Sequence, residues 1–403
     1  MPMNKIEKLI KELCPNGVEW KKLGDVCTFQ NGFAFKSQFF KENGNAIIRI
    51  TNINKNTIDL NDVVFFDKSD YRENLSIYEI HNGDILVAMS GATTGKIGVY
   101  KGLDTCYLNQ RVGTFRPFCD ILSNQYLYHF LTTKVNDMYL LAGGGAQPNL
   151  SSIKLMSSLQ IPLPPLPIQT EIVRILDKFV EQQEQLERLI ELRKKQYEYY
   201  REELLKPKEG EVWERKTLGE IGTFVRGNGL QKTDFREEGF PCIHYGQVHT
   251  YYGFSATETK SFCSETLAEK LKKASYGDLI IATTSEDVDA CCKATVWLGK
   301  GKVAISGDSY LFSHNKNPKF VAHLFRTKRF ADQKRMVATG AKVVRVSGES
   351  MAKFEFQIPS SLDRQKEIAD ALDRFELSLS SLISALEATK ARYEYYRDLM
   401  LNF

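Results

Sequence analysis

No apolar run in this 403-residue chain approaches the ~20 residues that a membrane-spanning helix needs. That excludes a helical membrane protein and leaves a soluble one. Histidine is scarce, with six residues at no ligand-like spacing, and the eight cysteines include no CxxC pair, which argues against a zinc centre and for reduced thiols. The opening MPMNKIEKLI lacks the long apolar core of a signal peptide, so the expected location is the cytoplasm. Charge of one sign is also lacking: 54 basic against 50 acidic side chains leave only +4. Net charge alone therefore names no partner.

What the chain does have is a repeat. The sequence YEYYR occurs at Tyr197–Arg201 and again, 196 residues on, at Tyr393–Arg397. In the same register Leu176-Asp177-Lys178-Phe179 answers Leu372-Asp373-Arg374-Phe375, and Gln169-Thr170-Glu171-Ile172 answers Gln365-Lys366-Glu367-Ile368. Upstream, Leu23-Gly24-Asp25-Val26 parallels Leu218-Gly219-Glu220-Ile221, and Gly83-Asp84-Ile85 parallels Gly277-Asp278-Leu279. One unit, a globular part followed by a long helix, is written twice. Between these anchors the copies diverge, and Ile47 to Phe66 has no evident partner in the second copy.

The repeat divides the chain into a first globular domain (1–164), a central helix (165–208), a second globular domain (209–362) and a distal helix (363–403). Residues 1–164 hold 17 basic and 15 acidic side chains and residues 209–362 hold 22 and 18, whereas the helices hold 9 and 9, then 6 and 8. The positive excess lies in the globular parts, which points to an anionic ligand there and a protein partner at the helices.

From Gln169 to Leu205 there is neither glycine nor proline. Large residues recur every seven positions at Ile172, Phe179, Leu186 and Tyr200, and in the second copy at Ile368, Phe375, Leu382 and Tyr396. This is coiled-coil spacing, and it predicts an antiparallel pair with those residues in the seam. At ~1.5 Å per residue each helix is roughly 55 Å long. A proline-rich stop, Pro162 to Pro167, precedes the first helix and Pro359 the second. The globular parts read as α/β, or α+β, with short strand-like runs such as Asp84–Ala88 and Asp278–Ala282, and helices at Gln125–Thr133 and Val321–Thr327. The circular repeat also predicts that the leader, Met1 to Cys14, packs near the far helix.

Enzymatic readings fail on the residues. Ser90-Gly-Ala-Thr-Thr-Gly-Lys96-Ile97 has Ser90 where a phosphate-binding loop needs its first glycine and Ile97 in place of the magnesium-binding hydroxyl. No Asn-Pro-Pro-Tyr or Asp-Pro-Pro-Tyr stands ready to methylate an exocyclic amine. A non-catalytic role is expected.

The order of Trp20-x-x-Leu-Gly-Asp25, Gly32-Phe-Ala-Phe-Lys-Ser37, Ser90–Lys96, and Pro-Leu-Pro-x-Gln169-x-Glu171-Ile172 leading into a long helix resembles the specificity subunit of type I restriction-modification enzymes. The likeness covers both halves, with the fuller motif set in the first. It implies two target recognition domains, each reading one half of a bipartite, asymmetric site in double-stranded DNA. The helices would set the half-site spacing, about 16 base pairs for ~55 Å. They would also dock the modification subunits, two of them, with restriction subunits alongside. S-adenosylmethionine, ATP and magnesium would belong to those partners and no cofactor to this chain. Candidate DNA contacts in the first domain are Lys36, Ser90, Thr93, Thr94, Lys96, Arg111, Gln147 and Asn149. In the second they are Arg226, Lys232, His244, Gln247, Thr284, Ser285, Lys342 and Arg345. Gln147 and Asn149 match the edge of adenine, and Lys342 and Arg345 that of guanine. For His244 and Gln247, as for Tyr245, the role of a satisfied strand residue in the core is slightly favoured over DNA contact, whereas for the loop residues Gln147, Asn149, Lys342 and Arg345 an ordinary hinge loop is an equal alternative. A cytosolic coiled-coil scaffold binding two different proteins is the competing function.

Overall fold

A computed structural model describes residues 3–54, 56–145, 148–340 and 342–403. The chain folds as two compact units, Met1–Glu187 with Ala385–Phe403, and Arg188–Ser384. Each long helix, Leu166–Leu204 and Leu362–Leu401, contributes one part to each unit.

In the first unit a six-stranded sheet runs in the order Cys27–Asn31, Val112–Pro117, Ile85–Ala88, Ile97–Val99, Asn56–Ile58, Ile53–Asn54. A four-stranded sheet follows the order Val64–Phe66, Asn45–Ile48, Cys106–Leu108, Glu79–Ile80. The second unit repeats this plan. Its five-stranded sheet has the order Gly222–Arg226, Ser309–His314, Leu279–Ala282, Lys293–Trp297, Ser255–Ala256, and its four-stranded sheet the order Ser261–Cys263, Phe240–Ile243, Val303–Ile305, Lys273–Ala274. Corresponding pairs even keep their sense: Asn45–Ile48 is parallel to Cys106–Leu108, as Phe240–Ile243 is to Val303–Ile305. The stretch Ile47–Phe66, unmatched in sequence, thus has a topological partner in 242–263. Hydrogen bonding explains how: Asn52 Oδ1 accepts from the Arg49 N–H (2.9 Å) just as Gln247 Oε1 accepts from the His244 N–H (3.0 Å). A turn held by a side-chain amide needs the amide and little else.

The central strands are apolar throughout because both their faces are covered. Alternation sends Ile85 and Val87 into one core and Leu86 and Ala88 into another; Leu279 and Ile281 likewise part from Ile280 and Ala282. The predicted helices at Gln125–Thr133 and Val321–Thr327 are found at Asn124–Thr133 and Pro318–Leu324. The second stops early because Thr327 caps a separate helix, Lys328–Val337, its hydroxyl accepting from the Phe330 N–H at 3.1 Å. The first long helix begins at Leu166, inside the proline-rich stop, since a proline in the first turn loses no helical hydrogen bond.

Ile172 and Ile368 lie fully buried in the globular cores, joined there by Ile168 and Leu176 in one unit and Leu372 in the other. Farther along, Phe179 stacks on Tyr396 (5.6 Å between ring centres) and Tyr200 on Phe375 (5.3 Å). In the first unit Glu187 pairs with Lys390 at 2.7 Å, so advancing along one helix retreats along the other and the two are antiparallel there. Leu186 and Leu382 are half-buried. The leader helix Met3–Leu13 sends Ile6 into the core that also holds Met400 and Leu401, while Lys5 pairs with Glu171 of the near helix at 2.9 Å.

Two features lock each helix start to its sheet domain. The fully buried Gln169 amide donates to the Ile121 and Pro164 carbonyls and accepts from the Ser123 N–H; Gln365 donates to Pro359 and accepts from Asn317. Beyond it sits a fully buried histidine. His129 forms hydrogen bonds to Asp177 (2.7 Å) and to the Tyr393 hydroxyl (3.0 Å), and His323 forms them to Asp373 (3.1 Å) and Tyr197 (3.3 Å). Each histidine takes its aspartate from one long helix and its tyrosine from the other.

Burial pushes the His323 imidazole below the usual histidine range, against the pull of Asp373, and burial pushes His314 down to about 4. A histidine held neutral in the fold takes up its proton more readily when unfolded, so its stabilisation is complete above pH ~6.5 and is lost as pH falls toward 4. Urea unfolding at pH 7 and pH 4.5, followed by fluorescence, should show a fall in midpoint that is shallower in the His314→Phe variant. The difference is up to roughly 3 kcal/mol; equal slopes would refute the assignment.

Candidate nucleic-acid interface

Part of the candidate set, Ser90, Arg111 and Asn149 in the first unit and Arg226, Thr284, Ser285 and Arg345 in the second, falls on one rim in each unit, where strands end and turns begin. In the first unit the Ser90–Lys96 turn leaves strand Ile85–Ala88 and lies beside Pro148–Leu150. Gly91 N–H donates to Pro148 (3.1 Å), Leu150 N–H to Met89 (2.7 Å), and Ser90 bridges Asn149. Met89 N–H donates to the Arg111 carbonyl (2.8 Å) and Gly32 N–H to Val112 (2.9 Å). Ser90, Arg111 and Asn149 are thereby brought together, with Arg111 and Asn149 exposed.

The second unit reproduces these bonds. Thr284 and Ser285 pair with Arg345 and Val344, Val346 N–H donates to Thr283 (3.4 Å), Thr283 N–H to Asp308 (3.2 Å) and Gly227 N–H to Ser309 (2.9 Å). The register equates Asn149 with Arg345, Arg111 with Asp308, and Asn31 with Arg226. Beside the rim Arg226, Lys232, His244 and Asp308 line a cleft of about 510 Å³, in which Arg226 Nε donates to the Gly307 carbonyl at 3.1 Å. Lys342 and Arg345 are exposed.

Other candidates are occupied elsewhere. Thr94 is buried, its hydroxyl donating to the Gly91 carbonyl (2.7 Å). Lys96 lines a groove beside Asp177, away from the rim residues. His244 is buried and accepts from the Gly246 N–H, and Gln247 donates to the Ser261 hydroxyl (2.7 Å) while capping its helix, which is the structural role weighed for both. Lys36 stands exposed over the Phe39 ring, at the edge of an aromatic cluster of Phe33, Phe35, Phe66, Tyr71 and Tyr107. Ser90 Oγ and Thr93 Oγ1 are buried without a partner among the described residues. Gln147 lies outside the described residues. Sequence reasoning missed the buried histidines, although Asp177, Asp373 and both tyrosines stood inside the repeat; only the matching positions of His129 and His323 signalled them.

Chemically the two rims differ. Asn149 offers a donor and an acceptor side by side, whereas Arg345 offers donors alone. One scaffold used twice with unlike polar rims, each half ending in a helix shared with the other, defines a two-module recognition protein. The chain belongs to the family described as "Type I restriction modification DNA specificity domain", whose model matches residues 15–194 and again 210–388. It is 31% identical over 301 residues to a Haemophilus influenzae protein assigned as a type I restriction enzyme specificity subunit, covering 70% of this chain and 73% of that one. It is 29% identical over 295 residues to the EcoR124I/EcoR124II specificity subunit of Escherichia coli, covering 69% and 70%. In fold it resembles the crystal structure of a type I restriction-modification S subunit from M. genitalium, with a TM-score of 0.62 over 96% of this chain and 97% of that one at 17% identity.

Both rims depend on a glycine where two backbones meet. A Cβ at Gly32 would lie 2.0 Å from the Asn109 carbonyl oxygen, and one at Gly227 would lie 2.1 Å from that of Ser306. Backbone cannot yield as a flexible side chain does, so Gly32→Ala or Gly227→Ala should each destabilise its own unit by about 1–3 kcal/mol. Thermal unfolding checks this: an unchanged melting temperature in either variant would show that the rim relaxes freely.

Proposed function

We propose that this chain is the DNA sequence-specificity subunit of a type I restriction-modification complex, each unit reading one half of a bipartite, asymmetric site in double-stranded DNA. The observation that carries this is the equivalence of hydrogen bonds around the two rims, combined with Asn149 and Arg345 at matched positions. A shared frame presents each rim to DNA in the same way, while unlike side chains demand unlike half-sites. Family membership and relatives named as specificity subunits support the reading. The exposed cations Lys36, Arg111, Lys232 and Lys342 would neutralise phosphates, making affinity fall with salt.

On this reading the chain is non-catalytic and cytoplasmic. The helices dock two modification subunits and set the number of unread base pairs, and restriction subunits join the complex. Adenine methylation with S-adenosylmethionine, and ATP- and magnesium-dependent translocation and cleavage, reside in those partners. A scaffold binding two unrelated proteins has no observation in its favour.

The test is co-expression with the genomic neighbours, followed by mapping of methylated adenines on host DNA. A bipartite motif that vanishes when this chain is deleted is expected; assembly without any motif would overturn the reading. Asn149→Ala should relax one half-site and Arg345→Ala the other, each costing about 1–3 kcal/mol of discrimination with no change in melting temperature. If both relax the same half, the one-unit, one-half assignment is wrong. Phe179→Asp removes the stack on Tyr396 and should release modification subunits on size exclusion; an intact complex would show that docking does not depend on the seam.

A further inference from the structure

The turn that joins strands Ile85–Ala88 and Ile97–Val99 in the first unit has its counterpart between Leu279–Ala282 and Lys293–Trp297 in the second, and the two units fill it differently. Register matches Thr94 and Gly95 with Cys291 and Cys292: Gly95 N–H donates to the Ala88 carbonyl at 2.9 Å, and Cys292 N–H to the Ala282 carbonyl at 2.9 Å. Gly95 and Cys292 are both left-handed, with φ of +81° and +62°. That conformation suits glycine and crowds a Cβ, and Cys292 is the one non-glycine residue holding it among the described residues. At the position before it, Thr94 Oγ1 donates to the Pro148 carbonyl at 3.3 Å. Cys291 Sγ faces the matching carbonyl of Val344 at 3.9 Å and donates to that of Thr283 at 3.2 Å.

A third difference falls on the same spot. In the first unit the helix Val135–Leu141 lays Met138 against Gly95, where an added Cβ would come within 3.3 Å of Met138 Cβ. In the second unit the helix Lys328–Val337 brings Lys334 instead, and its buried Nζ donates to the carbonyls of Asp289 (2.8 Å) and Cys291 (2.9 Å). The hydrogen bond with Cys292 and the Lys334 charge hold the Cys291 thiol below the ordinary cysteine range, while the same bond and burial hold Cys292 well above it. The two sulfurs are 3.9 Å apart, and their residues are 1% and 2% exposed. Apolar filling accounts for neither Cys292 nor Lys334: glycine fits the turn better than cysteine, and methionine fills the space without burying a charge.

We infer that Cys291 and Cys292 are a redox-modification site, at which a peroxide closes a disulfide between neighbours and loosens the second rim. The Cys291 thiolate attacks one oxygen of hydrogen peroxide, the O–O bond breaks, and the sulfur becomes a sulfenic acid while the departing hydroxide takes a proton and leaves as water. The Cys292 sulfur then displaces the sulfenic hydroxyl, which departs with the thiol proton as a second water. Two thiols and one peroxide thus become one disulfide and two waters, the sulfurs oxidised and the peroxide oxygens reduced. Neighbouring α-carbons are about 3.8 Å apart, closer than the ~4.4–6.8 Å that an unstrained disulfide spans, so the bond is readily reduced and the change reversible. The turn 286–290, with Glu286, Asp287, Asp289 and Ala290 exposed, leads into the pair, and its local opening admits the peroxide. Closing the bond draws the Cys291 sulfur from the Thr283 and Val344 carbonyls, which adjoin Thr284 and Arg345 in the rim. On the DNA reading proposed above, on which this consequence rests, oxidation spoils one half-site and spares the other, since Thr94 and Gly95 cannot form such a bond.

Treating the full chain with hydrogen peroxide tests the site without DNA. Trypsin leaves both sulfurs on one peptide, residues 274–293, which holds no other cysteine. Its mass should fall by two hydrogens and recover with dithiothreitol. Hydrogen exchange over 343–346 should quicken at least about tenfold on oxidation, as the Arg345 and Val346 N–H bonds to Thr339 and Thr283 loosen. The variant Cys291→Thr with Cys292→Gly, which copies the first unit, should show neither change. Should it melt early, Cys292→Gly alone removes the disulfide and relieves the left-handed position. Free thiols after treatment, oxidation that stops on Cys291 as a sulfinic or sulfonic acid, or unchanged exchange in the oxidised chain overturns the inference. So does equal quickening in a folded variant. None of these readouts involves DNA, so failure of the DNA reading leaves them intact.

Discussion

An imidazole buried between two helices and a sheet domain governs how this chain is put together. His129 and His323 each bond an aspartate from one long helix and a tyrosine from the other. An imidazole removed from water must satisfy both nitrogens, and only the paired helices in register supply both partners. Neither helix can slide, rotate or part from its neighbour without stranding a polar group in the core. Two aromatic stacks and the buried Gln169 and Gln365 then extend the same registration.

That registration frees the rims to differ. Because the helices and central strands hold the domain, the rim needs only main-chain hydrogen bonds and one close-packed glycine to keep its shape. Side chains pointing outward from it contribute little to stability, so Asn149 and Arg345, or Arg111 and Asp308, can occupy matched positions at little cost. A recognition protein benefits from such a division between a fixed scaffold and replaceable contacts.

Much of this was legible in the chain itself. The duplication, the long helices, the central apolar strands and the family likeness all rest on local pattern. What escaped was non-local. The stretch Ile47–Phe66 looked unmatched, because its fold depends on one amide, Asn52, that the second copy replaces with Gln247. Lys96 read as a rim residue from its place in a turn, yet it lines the groove near Asp177. Thr94 and Gln247 looked available and are held by internal bonds.

The sequence by itself determined the repeat, the class of fold and the family, because heptads, strand alternation and motif order are properties of neighbours along the chain. The tertiary structure alone decided which polar residues face outward and which are consumed within. It also decided that each unit is completed by both helices. Those outcomes depend on residues over a hundred positions apart meeting within hydrogen-bond distance, such as His129 with Tyr393 and Tyr197 with His323, and no local pattern encodes that meeting.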